Sequence, residues 1–201
     1  DTTEMYPVNP APAETVGGTE TVIGNWNGAN AARRGDYKLA TKISGLNEGF
    51  VRPGQPISAA TFAEALDGSL RRLQTDYIDI YQLHWPNRGS YMFRQNWTFA
   101  PQGERAEILD NMREVLEAAA AAQKAGKIKH FALSNESAWG TAQWLRLADE
   151  HGLPRVQTMQ NEYSLMGRVY DTDMGELSYH EKVTLLAFSP LATGLLTGKY
   201  S

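Results

Sequence analysis

Apolar positions along this chain repeat with two different spacings, and their succession predicts a series of strand–helix units. Tyr37–Ser44 reads as a strand, and Ser58 then caps a helix that places Phe62, Leu66, Leu70 and Leu73 near one face. Tyr77–Leu83 is the next strand. Ile108–Ala125 is a helix with Ile108, Leu109, Met112, Val115, Leu116 and Ala119 on one stripe, stopped by Gly126. Lys127–Leu133, Val156–Gln160 and Val183–Phe188 read as strands, with helices over Ala138–Glu150 and Asp173–His180. Before Tyr37 only a strand stub at Asp1 is assigned. Two long loops, Pro7–Gly18 and Trp85–Glu107, interrupt the series, and structureless loops of that length are usually functional or disordered.

Helices between successive strands imply parallel pairing, because parallel neighbours need a crossover connection. Two α/β architectures satisfy this, an open doubly wound sheet and a (β/α)8 TIM barrel. The first strand–helix turn has no Gly-x-Gly-x-x-Gly, which weakens the dinucleotide-fold alternative. Polar residues end several strands: Lys42, His84, Ser134-Asn135 and Gln160. Barrel enzymes gather their chemistry on that rim, so the expected fold is an incomplete (β/α)8 barrel, about strands 2 to 7. Residues 1–201 are expected to form one partial barrel domain. Six strands cannot close such a barrel, and the chain starts abruptly at Asp1 without Met, so this is expected to be part of a longer protein.

Composition narrows the classes of function. The formal net charge of −4 is spread along 201 residues, leaving no basic stripe for nucleic acid or an anionic membrane. No cysteine is present, which excludes disulfides, thiolate metal sites and a cysteine nucleophile, and fits a reducing cytoplasm. The four histidines show no metal-ligand spacing, so no metal is expected. No apolar run reaches the length of a membrane span.

Strand parity gives the first chemical clue. If Leu39, Thr41 and Ile43 pack on helices, Lys42 points to the other side, and His84 shares its side with Gln82. Both then converge near the barrel mouth, where a cation beside a tyrosine lowers the phenol's pKa toward a working range. Taken alone, Lys42 is more often a snorkelling surface lysine, and Ser134-Asn135 could simply cap the following helix. It is their ordered occurrence at strand ends that shifts the balance.

Asp1-Thr2-Thr3-Glu4-Met5-Tyr6, Ala40-Thr41-Lys42 and Leu83-His84-Trp85-Pro86 resemble, in order, the catalytic signature of the aldo-keto reductases. Ser69 to Tyr81, Ser134-Asn135, Gln160-Asn161 and Phe188 to Tyr200 are similar to further stations of that family, nearest its bacterial Tas-like branch. The resemblance implies a carbonyl reductase using NADPH, with a small aldehyde or ketone as its partner. Tyr6 would be the general acid, Lys42 paired with Asp1 would acidify it, and His84 would orient and polarise the carbonyl. Trp85 would line the substrate pocket. Ser134, Asn135 and Gln160 would hold the nicotinamide carboxamide, and Phe188 would stack on its ring. Ser189, Pro190, Leu191, Gly194 and Leu195 would wrap the pyrophosphate, with Lys199 nearby. Phe188 replaces a common tyrosine, and Ala132 a common glycine. The aromatic loop with Tyr91, Phe93, Trp97 and Phe99 is expected to wall in an apolar substrate. Two alternatives stay open: a cofactor-binding regulatory subunit resembling the potassium-channel β subunits, and a Schiff-base lyase using Lys42.

Overall fold

The computed structural model describes residues 1–8 and 13–200, and part of the Pro7–Gly18 loop therefore lies outside the described residues. Among the described residues, five α-helices and five strands alternate: α1 (Gly18–Ala29), β1 (Ala40–Ile43), α2 (Ala59–Leu73), β2 (Ile78–Leu83), α3 (Arg105–Lys124), β3 (Ile128–Ser134), α4 (Ala138–His151), β4 (Thr158–Glu162), α5 (Met174–Glu181) and β5 (Thr184–Phe188). All four strand pairings are parallel, and the strands lie in the sheet in chain order. A doubly wound sheet would reverse direction about a switch point. Unbroken order is what one arc of a (β/α)8 barrel wall requires, so the fold is α/β, a partial barrel.

The stub expected at Asp1 is present as an edge segment. Thr2 N–H donates to the Ala40 carbonyl (3.0 Å) and Glu4 N–H to the Lys42 carbonyl (3.3 Å), so the segment runs parallel to β1. The first strand is shorter than the apolar pattern predicted, because only Ala40–Ile43 stay in register with β2. The fourth lies two residues later than expected, at Thr158–Glu162, which puts Gln160 at its centre rather than its end.

The two faces of the sheet differ chemically. Ile43, Tyr81, Leu83, Phe131, Leu133 and Met159 are buried against Phe62 and Leu66 of α2, Met112 and Leu116 of α3, and Trp144 of α4. Each large side chain removed from water there contributes about 1.5–3 kcal/mol. By register, the other face carries Lys42 beside Gln82, Ser134 beside Gln160, and Glu162 beside Phe188. The apolar face holds the sheet on its helices, and the polar face is left for chemistry.

Helix α1 was not predicted. Its buried positions, Glu20, Gly24 and Asn27, follow helical spacing but are not apolar. Glu20 is fully buried, accepting from Arg72 Nε (2.7 Å) and from the Thr41 hydroxyl (2.5 Å). Asn27 Nδ2 donates to the Leu73 carbonyl (2.7 Å), closing the end of α2. Polar bonds do here what an apolar stripe does elsewhere.

Ser58 caps α2 with the side-chain bonds of a capping box. At α4 the cap is Ser137, whose hydroxyl accepts from Gly140 N–H (3.1 Å). Capping therefore does not account for Ser134 and Asn135. No helix among the described residues is long and apolar enough to cross a membrane.

Candidate active site

Four side chains proposed for catalysis meet at the C-terminal end of the strands. Lys42 extends from β1, buried to 4 % of its side-chain surface, and its Nζ reaches Asp1 Oδ2 at 2.5 Å and the Thr2 carbonyl at 2.9 Å. His84 follows β2 directly, and its backbone N–H donates to the Ile43 carbonyl (2.8 Å), holding it beside the end of β1. Tyr6 packs edge-on against the His84 ring, centroids 5.9 Å apart and planes at 77°. Trp85 also packs on that imidazole, centroids 4.7 Å apart and planes tilted at 42°.

Burial sets the charges. Desolvation lowers the Lys42 ammonium from its ordinary value to about 8, opposed by the Glu20 carboxylate. The His84 imidazole falls to about 3, through desolvation first and then the Lys42 charge, so the ring is neutral across the physiological range. Burial raises the Tyr6 phenol. The expected acidification of Tyr6 by Lys42 is therefore not found in the resting protein. Desolvation decides at the phenol, whereas the Lys42 charge acts on the His84 imidazole.

Thr3, not singled out in the sequence, belongs to this cluster. It is fully buried, and its hydroxyl sits 3.1 Å from the Lys42 carbonyl and 3.4 Å from His84 Nδ1. Its position two residues from Asp1 along an extended segment was the available signal. Glu4 was also overlooked. Its carboxylate takes Arg52 in a two-pronged pair (2.8 and 2.5 Å) and the Ser44 N–H (2.7 Å), bracing the loop after β1 against the Asp1–Tyr6 segment.

Beside the cluster lies a set of amides. Asn135 Nδ2 donates to the His84 carbonyl (2.9 Å), and the Ser134 hydroxyl to the Gln160 carbonyl (2.7 Å). Gln160 Nε2 shares the Asp1 carboxylate with Lys42 (2.9 Å). Asn135 Oδ1 and Gln160 Oε1 are buried without a hydrogen-bond partner, and buried acceptors left so are costly. Two such acceptors next to Ser134 suit a ligand carboxamide, whose N–H groups would satisfy them. Phe188 ends β5, directly across from Glu162.

The segment after β5 turns sharply. Ser189, Ala192, Thr193 and Gly194 all have left-handed φ (52°, 48°, 54° and 102°). The turn is closed by its own backbone: Ala192 N–H donates to the Ser189 carbonyl (2.8 Å), and Gly194 N–H to the Leu191 carbonyl (3.0 Å). Gly194 is also pressed by Lys199, whose Nζ would lie 3.0 Å from an added Cβ. Pro190, Leu191 and Leu195 are exposed.

The aromatic loop is only partly what was expected. Trp97 is 93 % exposed and walls nothing. Phe93 instead meets Trp85 edge-on (6.0 Å), and both line a cavity of about 400 Å3 with Leu46, Asn47 and Ser90. Among the described residues no cluster of three potential ligands could hold a metal ion.

The Aldo/keto reductase family model matches residues 1–201 in full. The chain belongs to the aldo/keto reductase family. It is 44% identical over 204 residues to Protein tas of Escherichia coli (strain K12), an alignment that covers 100% of this chain and 57% of that protein. An Aldo-keto reductase of Babesia bovis is 36% identical over 172 residues, covering 81% of this chain and 59% of its own length. Aldo-keto reductase YhdN of Bacillus subtilis (strain 168) is 31% identical over 194 residues, covering 96% of the chain and 50% of its own. The chain thus spans little more than half the length of these curated relatives. The match to Protein tas agrees with the likeness to the Tas-like branch read from the sequence.

Proposed function

We propose that this chain carries the catalytic half of an NADPH-dependent aldo-keto reductase, which reduces a small aldehyde or ketone to an alcohol. The observation that carries the proposal is the shared Asp1 carboxylate, bound by Lys42 Nζ at 2.5 Å and Gln160 Nε2 at 2.9 Å, with His84 and Tyr6 packed alongside. One residue of that carboxylate's shell is catalytic in type and the other belongs to the amide set, so proton donor and cofactor station adjoin. A reduced nicotinamide supplies hydride when bound. Ser134, Asn135 and Gln160 would hold its carboxamide, Phe188 its ring face, and the Ser189 to Leu195 turn with Lys199 its phosphates.

The chain's own residues then handle the proton. Tyr6 keeps its proton at neutral pH, which is what a donor to a carbonyl oxygen requires. Lys42 would offset the charge that develops when the phenol gives that proton up, and Asp1 holds the ammonium in place. His84, neutral and fixed by the backbone bond to Ile43, would orient the carbonyl once Nε2 carries the ring hydrogen. Trp85 and Phe93 exclude water from one side. Residues 1–201 are read as part of one barrel domain, and a reducing cytoplasm is the compartment that the cysteine-free sequence suits.

The test is Tyr6→Phe in the full-length protein, assayed with NADPH and a panel of aldehydes and ketones. Cofactor affinity should stay within about twofold while reduction falls by roughly 10²–10⁴, the usual span for a lost general acid. Unchanged turnover in the variant overturns the proposal. A wild-type protein that binds NADPH tightly and reduces nothing would favour the regulatory-subunit alternative.

A further inference from the structure

A second cavity, of about 460 Å3, lies between the loop after β2 and the first turns of α3 and α4. None of Asp1, Tyr6, Lys42, His84 and Trp85 lines it. Its walls are rings: Tyr91 and Phe99, with centroids 6.3 Å apart, and Trp139, with Ile108 closing one side. Three charged residues reach it. Arg88 is engaged twice by Glu136 and lies over the Trp139 ring at 5.1 Å. Glu136 also takes the Ser137 N–H (2.6 Å) and Trp144 Nε1 (3.3 Å), so its charge is fully used. Arg105, the first residue of α3, has no ion-pair partner among the described residues. The lining therefore carries one uncompensated positive charge beside an aromatic slot.

We propose that this cavity is a second ligand site, separate from the catalytic one, which binds a planar arene carboxylate with its ring between Tyr91, Phe99 and Trp139 and its carboxylate at Arg105. The volume falls in the range of pockets that enclose small molecules, and it has room for two fused rings. Flat rings gain from offset or edge contacts with the three aromatic walls. The Tyr91 phenol, raised by burial and by the Glu136 and Asp173 carboxylates, stays neutral and adds no repulsion. A neutral arene would use the walls but not Arg105, and an amine would meet the wrong charge. The proposal does not rest on the reductase reading, since none of Asp1, Tyr6, Lys42 and His84 lines this cavity; Gly89 and Ser90 form the partition it shares with the cavity beside Trp85.

Calorimetric titration of the full chain with 2-naphthoate and with its neutral analogue 2-naphthylmethanol tests it. Naphthoate should bind one to one and more tightly than the alcohol. Arg105→Gln should weaken naphthoate about threefold, the scale of a rim ion pair, and leave the alcohol unchanged. Trp139→Ala should weaken both by about tenfold. Trp139 is 42% exposed, so its truncation should leave the fold intact, checked by an unchanged melting curve. Phe93→Ala, on the cavity beside Trp85, should change neither affinity. No binding, or binding lost in Phe93→Ala and kept in Trp139→Ala, overturns the proposal. Tyr6→Phe should leave these titrations unaltered, so failure of the reductase reading would not be mistaken for failure here.

Discussion

A single hydroxyl proton decides how His84 can act. Thr3 Oγ1 sits between the Lys42 carbonyl (3.1 Å) and His84 Nδ1 (3.4 Å) and has one proton for two acceptors. If the proton goes to the carbonyl, Nδ1 must carry the imidazole hydrogen and Nε2 presents a lone pair. If the hydroxyl turns to Nδ1, Nε2 carries the hydrogen and can polarise a carbonyl. The shorter contact is to the carbonyl, so the resting ring should be protonated on Nδ1. Imidazole 15N shifts of His84 measure this directly, and a protonated Nε2 in the resting protein would refute it. Thr3→Ala removes the partner, and both tautomers should then be populated. Because the ring is neutral down to about pH 3, no step in reduction rate should appear near pH 6.5. An alkaline fall is expected near pH 8, where Lys42 loses its charge.

At the scale of elements, legibility followed apolar periodicity. Helices α2, α3 and α4 were readable because Phe62, Leu66, Met112, Val115 and Leu116 repeat on faces that the core buries. Helix α1 was not, since its inward positions are a carboxylate, a glycine and an amide. The glycine is there for space. A Cβ at Gly24 would lie 1.9 Å from the Arg72 carbonyl oxygen, backbone that cannot step aside without moving α2. Gly24→Ala should therefore cost about 1–3 kcal/mol, the usual penalty of overpacking, despite alanine's better helix propensity. Chemical denaturation measures it, and a variant as stable as wild type would mean the helices are not in contact at this point. The same limit explains the aromatic loop. Ring types could be read from the sequence, but which rings turn inward depends on where a loop without period folds. Trp97 points to solvent, while Phe93 reaches Trp85. Lys42, His84 and Asp1 were legible because strand parity and order carry them to one rim whatever the loops do.

For the molecule as a whole, burying the His84 imidazole in neutral form ties folding to pH. The unfolded chain takes up a proton at this ring near pH 6.5, whereas the folded chain resists until about pH 3. Between those values the unfolded state binds more protons, so stability must fall as pH falls, by about 1.4 kcal/mol per unit once well below 6.5. The Lys42 ammonium works in the same direction in another window. Its folded value near 8 lies below the ordinary 10.5, so stability should rise with pH between them. Asp79, lowered to about 2 by its Leu39 N–H, Arg34 and Lys129 partners against the cost of burial, adds acid sensitivity only below about pH 4. The interval from 6.5 to 4.5 is thus governed by His84 among the groups whose shifts are resolved. Unfolding free energies across that interval should decline in the wild type, and His84→Gln should remove about one proton's worth of the slope. A His84→Gln protein with the full wild-type slope would mean that the ring is already charged inside the fold. The neutral imidazole, and the carbonyl-orienting role that depends on it, would then have to be abandoned.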